Sequence, residues 1–317
     1  MNEKYASCQA HLLNGRALLN RMSFLLIAFF INGCSFNSLV TNKVGDAVAN
    51  GGSSYARDDD PELIRAATPF SLKLTESLLD QNPTHRGLLL AAAGGFTQYT
   101  YAFVQQDADE IEEHDVKAAA NLHDRARRLY TRARDYGLRG LDSAHPGFAR
   151  ALSSNPAIAV RETSVDDVAL LYWTAVSWAA VISLSKDNPE AIADLPSVDA
   201  LIFRALDLNE GFNDGAIHTF LISYEMGRPT GGRDAESRAR KHFERAIELT
   251  QGQQVAPYVA YAETVCVAKQ DRAQFEILLR RALAVDVGAH PDWRLANIVM
   301  QRRARWLLGR TDQLFSQ

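Results

Sequence analysis

Cys34 is the residue of this chain best placed for chemistry. It follows the apolar run Phe24-Leu25-Leu26-Ile27-Ala28-Phe29-Phe30-Ile31 and the pair Asn32-Gly33. Such a run is too short to cross a bilayer core, which takes about 20 apolar residues, but it has the length of a secretory h-region. A small residue directly before a cysteine at the end of that region is the layout in which the thiol is acylated and the chain is cut ahead of it. Cys34 is therefore the expected lipidation site. Lys4, Arg16 and Arg21 supply the upstream positive charge, and a start at Met22 would leave no basic residue before the run. Asn32 stands where Ala, Ser, Gly or Thr is usual. An ordinary signal peptide or a buried strand would use the same apolar residues without acylation.

The other reactive side chains point to no catalysis. With Cys8 removed and Cys34 acylated, Cys266 remains alone in an apolar helical stretch, so it has no disulfide partner and reads as a small buried side chain. His85, His114, His123, His145, His218, His242 and His290 are scattered, with no pair at metal-ligand spacing. Gly-x-Ser-x-Gly, a Walker loop, Gly-x-Gly-x-x-Gly and His-Glu-x-x-His are all missing. Asp58-Asp59-Asp60 would suit a cation, but Pro61-Glu62 follows, and helix capping accounts for the triplet. The expectation is no enzyme, no metal and no cofactor. A formal net charge of −4 on 317 residues argues against nucleic acid as a partner.

The elements that must position any site are helical. Residues 1–33 read as a lipoprotein signal peptide, 34–57 as a polar, Ser/Asn/Gly-rich tether, and 58–317 as one domain. The apolar period is 3.6 almost throughout. Helices are expected from Asp60 to a stop at Asn82-Pro83, over Leu88–Val104, over a long charged stretch from about 109 to 141, and after a capping box at Ser164-Val165-Asp166-Asp167. More follow near 198–208, 213–226, 234–250, 255–268, 271–285 and 291–308. Several end alike: Phe203-Arg204-Ala205-Leu206, Phe243-Glu244-Arg245-Ala246-Ile247 and Leu279-Arg280-Arg281-Ala282-Leu283. Ala205, Ala246 and Ala282 are 41 and 36 residues apart, and Ala133 precedes Ala205 by 72. A period near about 34 residues is that of tetratricopeptide-like hairpins. The predicted fold is all-α, with cryptic repeats of this kind forming a compact α-solenoid.

Two segments are apolar nearly all round: Leu88–Val104, with Gly94-Gly95 inside it, and Leu170–Ile182. Gln98, Tyr101 and Gln105 share one helix face in the first, while Trp173 and Trp178 point to different sides of the second. Core packing explains these residues; Gln98, Tyr101, Trp173 and Trp178 are also the candidates for lining an apolar cavity with a few polar guides. Arg125-Ala126-Arg127-Arg128 through Arg139 is densely basic but follows Asp107, Asp109, Glu110, Glu112, Glu113 and Asp115. It reads as a solvated, salt-bridged face, with docking of an acidic partner as the functional alternative.

Asp58–Ile64, Leu88–Gln105, Ala126–Leu141, Tyr172–Asp187, Asp292-Trp293-Arg294-Leu295-Ala296-Asn297 and Arg302–Trp306 together resemble the TRAP transporter T-component (TatT) family, in order along the chain. The resemblance implies a periplasmic lipoprotein with tetratricopeptide-like repeats. Its partner would be the solute-binding P-component of a tripartite ATP-independent periplasmic transporter. It further implies homo-oligomers such as trimers, a pore through each protomer, and a hydrophobic, lipid-like ligand. Trp293, Arg294 and Asn297 are then expected as a pore-mouth or structural cluster. Ser35 follows the cysteine where Asp would favour inner-membrane retention, so a periplasm-facing outer-membrane anchor is preferred. The alternative from another class is a structural scaffold lipoprotein of an envelope assembly, without ligand.

Overall fold

Capping chemistry sets the first long helix of the computed structural model, which describes residues 52–228, 232 and 234–315. Cys34 and the signal lie outside the described residues. Asp60 accepts hydrogen bonds from the backbone of Glu62 and Leu63, Pro61 occupies the first helical position, and helix α1 (Pro61–Gln81) follows, closing at Asn82. A one-turn helix at Gly52–Ala56 precedes it. Tyr55 holds this turn to α1 through Ser71.

The helices after α1 are α2 (Arg86–Thr100), α3 (Gln106–Ile111), α4 (Val116–Ala144), α5 (Val168–Ser183), α6 (Leu195–Leu208), α7 (Ala216–Gly227), α8 (Ala235–Thr250), α9 (Ala256–Tyr261), α10 (Arg272–Leu283) and α11 (Arg294–Gly309). Shorter helices, Phe148–Ser154, Pro156–Ala159, Pro189–Ala193 and Thr311–Leu314 among them, fill the connections, and no strand occurs among the described residues. The fold is all-α, as expected. The Ser164/Asp167 capping box is present, with both reciprocal hydrogen bonds.

Two deviations from sequence periodicity matter. The helix expected over Leu88–Val104 widens into one turn of π-helix at Tyr101–Gln105 and runs on into α3, and a second π-turn, Ala262–Cys266, follows α9. The long charged helix is interrupted too: α3 ends at Ile111, and a turn at Glu112–His114 separates it from α4.

The helices pair as hairpins in two layers. The second helices, α4, α6, α8 and α10, carry Ala133, Ala205, Ala246 and Ala282, and all four alanines are fully buried. The first helices, α2, α5, α7, α9 and α11, touch one another in chain order. Helix α11 also reaches α1 and the Gly52–Ala56 turn, and Met300 on it accepts a hydrogen bond from the Tyr101 hydroxyl at 3.6 Å. The first helices thus close into a ring, with the second helices outside.

Close approach in the first third of the ring depends on glycine. A Cβ at Gly94 would lie 3.1 Å from Trp173 Nε1; one at Gly137 would run into the Thr174 hydroxyl and sit 3.3 Å from Thr174 Cα. Buried hydroxyls there are satisfied within their own helices: Thr97, Thr100 and Thr174 each donate to the carbonyl four residues back. Gly137→Ala should gain about 1 kcal/mol in helix propensity and lose about 1–3 kcal/mol to overpacking against backbone that cannot retreat. A net fall in the denaturant midpoint is expected. Gly227→Ala, where a Cβ meets nothing within 4 Å, is the control that should not fall; an equal response of both variants would contradict the packing argument.

Candidate functional site

The ring is closed by charge. The turn and helix after the Tyr101–Gln105 π-segment present Asp107, Asp109 and Glu110 to α11, which supplies Arg302 and Arg303. Arg303 is nearly buried and spans two inner helices, with Asp109 Oδ2 at 2.8 Å from Nη1 and Glu263, on the second π-turn, pairing with its other face. Its guanidinium also stacks over Trp306, 4.3 Å from the ring centroid. Arg302 joins Asp107 at 2.8 Å and Glu110 at 2.6 Å. Arg65 on α1 takes Asp107 from the other side at 2.5 Å. Arg310–Glu113 extends the seam.

Electrostatics within the seam favour the charged pairs. Burial opposes the charge on Arg303, but Glu263, Tyr101 and Asp109 outweigh it, so its pKa is raised. Burial alone would raise the Asp107 carboxyl; Arg65 and Arg302 hold it below its usual range. Burial pushes the Tyr101 hydroxyl up to about 12. Tyr130 donates to Gln105 Oε1 at 2.7 Å, and His123 meets Asp109 at 2.9 Å. Gln106 is fully buried beside the Tyr101 hydroxyl.

Each ring helix carries a stripe that keeps some exposure, including Ala91, Gln98 and Ala102 on and after α2, Trp173, Val176 and Ala180 on α5, Thr219, Phe220 and Ser223 on α7, Ala260 and Thr264 at α9, and Leu295 and Ile298 on α11. Gln98 is exposed on its stripe and donates to Gly94 O at 3.3 Å. Trp173 packs beside Gly94, so Gln98 and Trp173 come to one surface. Tyr101 lies a turn further on, inside the closing seam. Trp178 is not brought to them: it is buried, donates to Asp194 Oδ2 at 3.0 Å, and lies under the Arg134 guanidinium.

The cluster at the start of α11 ties elements together. Trp293 donates to Asp214 Oδ2 at 3.0 Å and stacks on His290. Arg294 donates to Arg57 O at 3.2 Å. Asn297 is buried, accepts from Val255 N at 2.9 Å and donates to Gln253 O at 3.0 Å. Asp214 itself sits in a left-handed run, Asn213 (φ 47°), Asp214 (φ 56°) and Gly215 (φ 86°), conformations that cost non-glycine residues energy and persist where the surroundings enforce them.

A second titratable contact lies between α7 and α8. His218 Nδ1 and His242 Nδ1 are 2.9 Å apart, so one neutral ring donates to the other. Glu210 faces His218 at 3.4 Å, Arg245 holds Glu210, and Arg238 and Glu225 flank His242. Burial and the neighbouring imidazole lower His242 to about 4. Cys266 is buried, and burial pushes its thiol up to about 12, which keeps it protonated and unreactive. No group of three or more His, Cys, Asp or Glu side chains among the described residues is arranged to hold a metal ion.

The family described as TRAP transporter T-component (TAtT) matches residues 57–315, and the chain belongs to it. It is also 31% identical over 266 residues to an uncharacterized protein of Treponema pallidum (strain Nichols), with 82% of each chain covered. The protein is therefore associated with a TRAP transporter as its T-component, in a family that is transport-associated and not a known enzyme family.

Two outcomes follow from this geometry. Arg303→Ala strands Glu263 and leaves Asp109 only His123 in a nearly buried seam, and should cost about 3–5 kcal/mol in equilibrium unfolding; a loss under about 1 kcal/mol, the value of an exposed pair, would mean that the seam does not close the ring. The histidine pair sets a pH dependence. Because the folded pKa of His242 is depressed below the ordinary 6.5, the unfolded chain takes up a proton that the folded chain refuses between pH 6.5 and about 4. The stability is intact above that window and is lost as pH falls through it. His242→Asn should flatten this slope in urea titrations, and an unchanged slope would remove the pair as its source.

Proposed function

We propose that this chain is a periplasm-facing lipoprotein, acylated at Cys34 and anchored in the outer membrane, that docks the solute-binding P-component of its transporter and handles a hydrophobic ligand as a homo-oligomer, a trimer being the expected size. Membership of the T-component family across nearly the whole folded region carries this reading. The closed ring agrees with it. Five helices packed at interaxial distances of about 8–10 Å place their axes about 8 Å from a common centre. Subtracting a side-chain-clad radius of about 5–6 Å leaves a free radius of about 2 Å. That width suits one extended acyl chain and not a folded or branched ligand. The partly exposed stripes, apolar apart from Gln98, Thr219, Ser223 and Thr264, are the surface such a chain would meet, with Trp173 and Gln98 at its α2–α5 edge. Trp178 serves packing in this reading.

Affinity capture from native envelopes should recover a solute-binding protein, and its absence there would remove the docking role. Native mass spectrometry of the purified chain should show an added fatty-acid or lipid mass, which Trp173→Ala loses while keeping its far-UV spectrum and unfolding midpoint. An apo mass in the wild type supports the scaffold alternative, and a variant that only loses stability assigns Trp173 to packing.

A further inference from the structure

The outer face of α1 and α4 combines two features that the ring does not use. Along α1, Leu63, Phe70 and Leu74 are 56%, 74% and 39% exposed, and their spacing of seven and four residues puts them on one stripe. Beside it, α4 turns Arg125, Arg128, Arg132 and Arg139 outward, again on one helix face. The two helices are adjacent, since Glu76 of α1 accepts from Tyr136 at 2.8 Å and pairs with Arg132 at 3.3 Å. Between the arginines lies a groove of about 350 Å³ lined by Arg128, Thr131, Arg132, Asp135, Tyr136 and Arg139.

The arginines are short of carboxylates. Arg128 has no ion pair among the described residues, Arg125 reaches only the Tyr99 hydroxyl at 3.5 Å, and Arg139 is held by Pro83 O and the Tyr136 ring. Four of the six acids that precede them in sequence are engaged elsewhere: Asp107, Asp109, Glu110 and Glu113 pair with Arg65, Arg302, Arg303 and Arg310.

We infer that this face seats on a bilayer surface with anionic headgroups, the α4 groove taking headgroup phosphates and the α1 stripe entering the headgroup–acyl boundary. Basic side chains flanking an apolar helical stripe are the composition of an interfacial surface. The chain's own route supports the same occupant. The described residues start at Gly52, shortly before α1, and Cys34 lies 18 residues earlier. Eighteen residues reach about 60 Å fully extended and about 25 Å as a polar coil. An anchor that short holds α1 close to its membrane, and an intramolecular contact at such effective concentration need not be strong alone. This inference rests on Cys34 as the anchor.

The test reconstitutes the full chain on vesicles of phosphatidylcholine alone and of phosphatidylcholine with phosphatidylglycerol, and follows hydrogen exchange of peptides covering 63–77 and 125–139. Several-fold slower exchange in both segments is expected on the anionic vesicles only, abolished by Arg128→Glu or Phe70→Ser and retained by Arg128→Lys. Both side chains are exposed, so these variants should fold. Equal exchange on the two vesicle types overturns the inference. So does protection that appears without vesicles and grows with protein concentration, which would make the face an interface between copies, or protection reproduced by inorganic phosphate alone. The acyl mass on the Cys34 peptide of the same sample separates the two readings: an acylated chain without protection refutes the surface only, whereas protection of an unacylated chain refutes the anchor only.

Discussion

The ring depends on one guanidinium. Arg303 lies between Asp109, which follows the first π-turn, and Glu263, within the second, and so joins the last helix to two others nearly 200 and 40 residues away in sequence. Stacked helical hairpins ordinarily contact only their neighbours, and their terminal units need polar caps. Here the final helix meets the first pair instead. Each end covers the other, and the cost is a buried polar seam that must be fully paired to be tolerated.

The π-turns make that seam possible. A π-turn inserts one residue into the 3.6 repeat, which rotates everything downstream by about 100°. On the α2 segment the rotation falls between the apolar core positions Phe96 and Thr100 and the acids from Asp107 onward, so one continuous helical run serves the core with its first half and the seam with its second. On the α9 segment Glu263 stands in the rotated turn itself, between the buried Ala262 and Val265. An unbroken α-helix in either place would send the acid to a different neighbour.

Much of this fold was legible in the residues. Asp60-Pro61, Ser164/Asp167 and the repeated alanines are local signals, and each sits where its chemistry requires. The π-turns were not legible, because apolar residues continue on both sides of them and a single-residue offset hides within a nearly all-apolar run. The site was legible in part. Gly94 flagged a close approach, which Trp173 makes, but nothing local says that Gln98 and Trp173 share a surface while Trp178 turns to Asp194. The sense of the charge runs was also hidden. Reading Asp107–Asp115 as the neutralising partner of Arg125–Arg139 assumes that nearby charges pair, whereas the turn at Glu112–His114 folds α4 back and turns the acids toward arginines at 65, 302, 303 and 310.

That diversion links the seam to the surface. Four carboxylates next in sequence to α4 are consumed by ring closure, and the acids of α4 itself are Asp124, paired with Arg127, Asp135, paired with Arg134, and Asp142, which accepts from Ala149 N. Arg128 and its neighbours along the groove consequently keep their positive field. Had α3 and α4 formed one uninterrupted helix, the acids would have stayed beside these arginines, and the outer face would be near neutral while Arg302 lost its carboxylates and Arg303 kept only Glu263. The same break in the helix therefore closes the ring and charges its exterior, in a chain whose total charge is mildly negative.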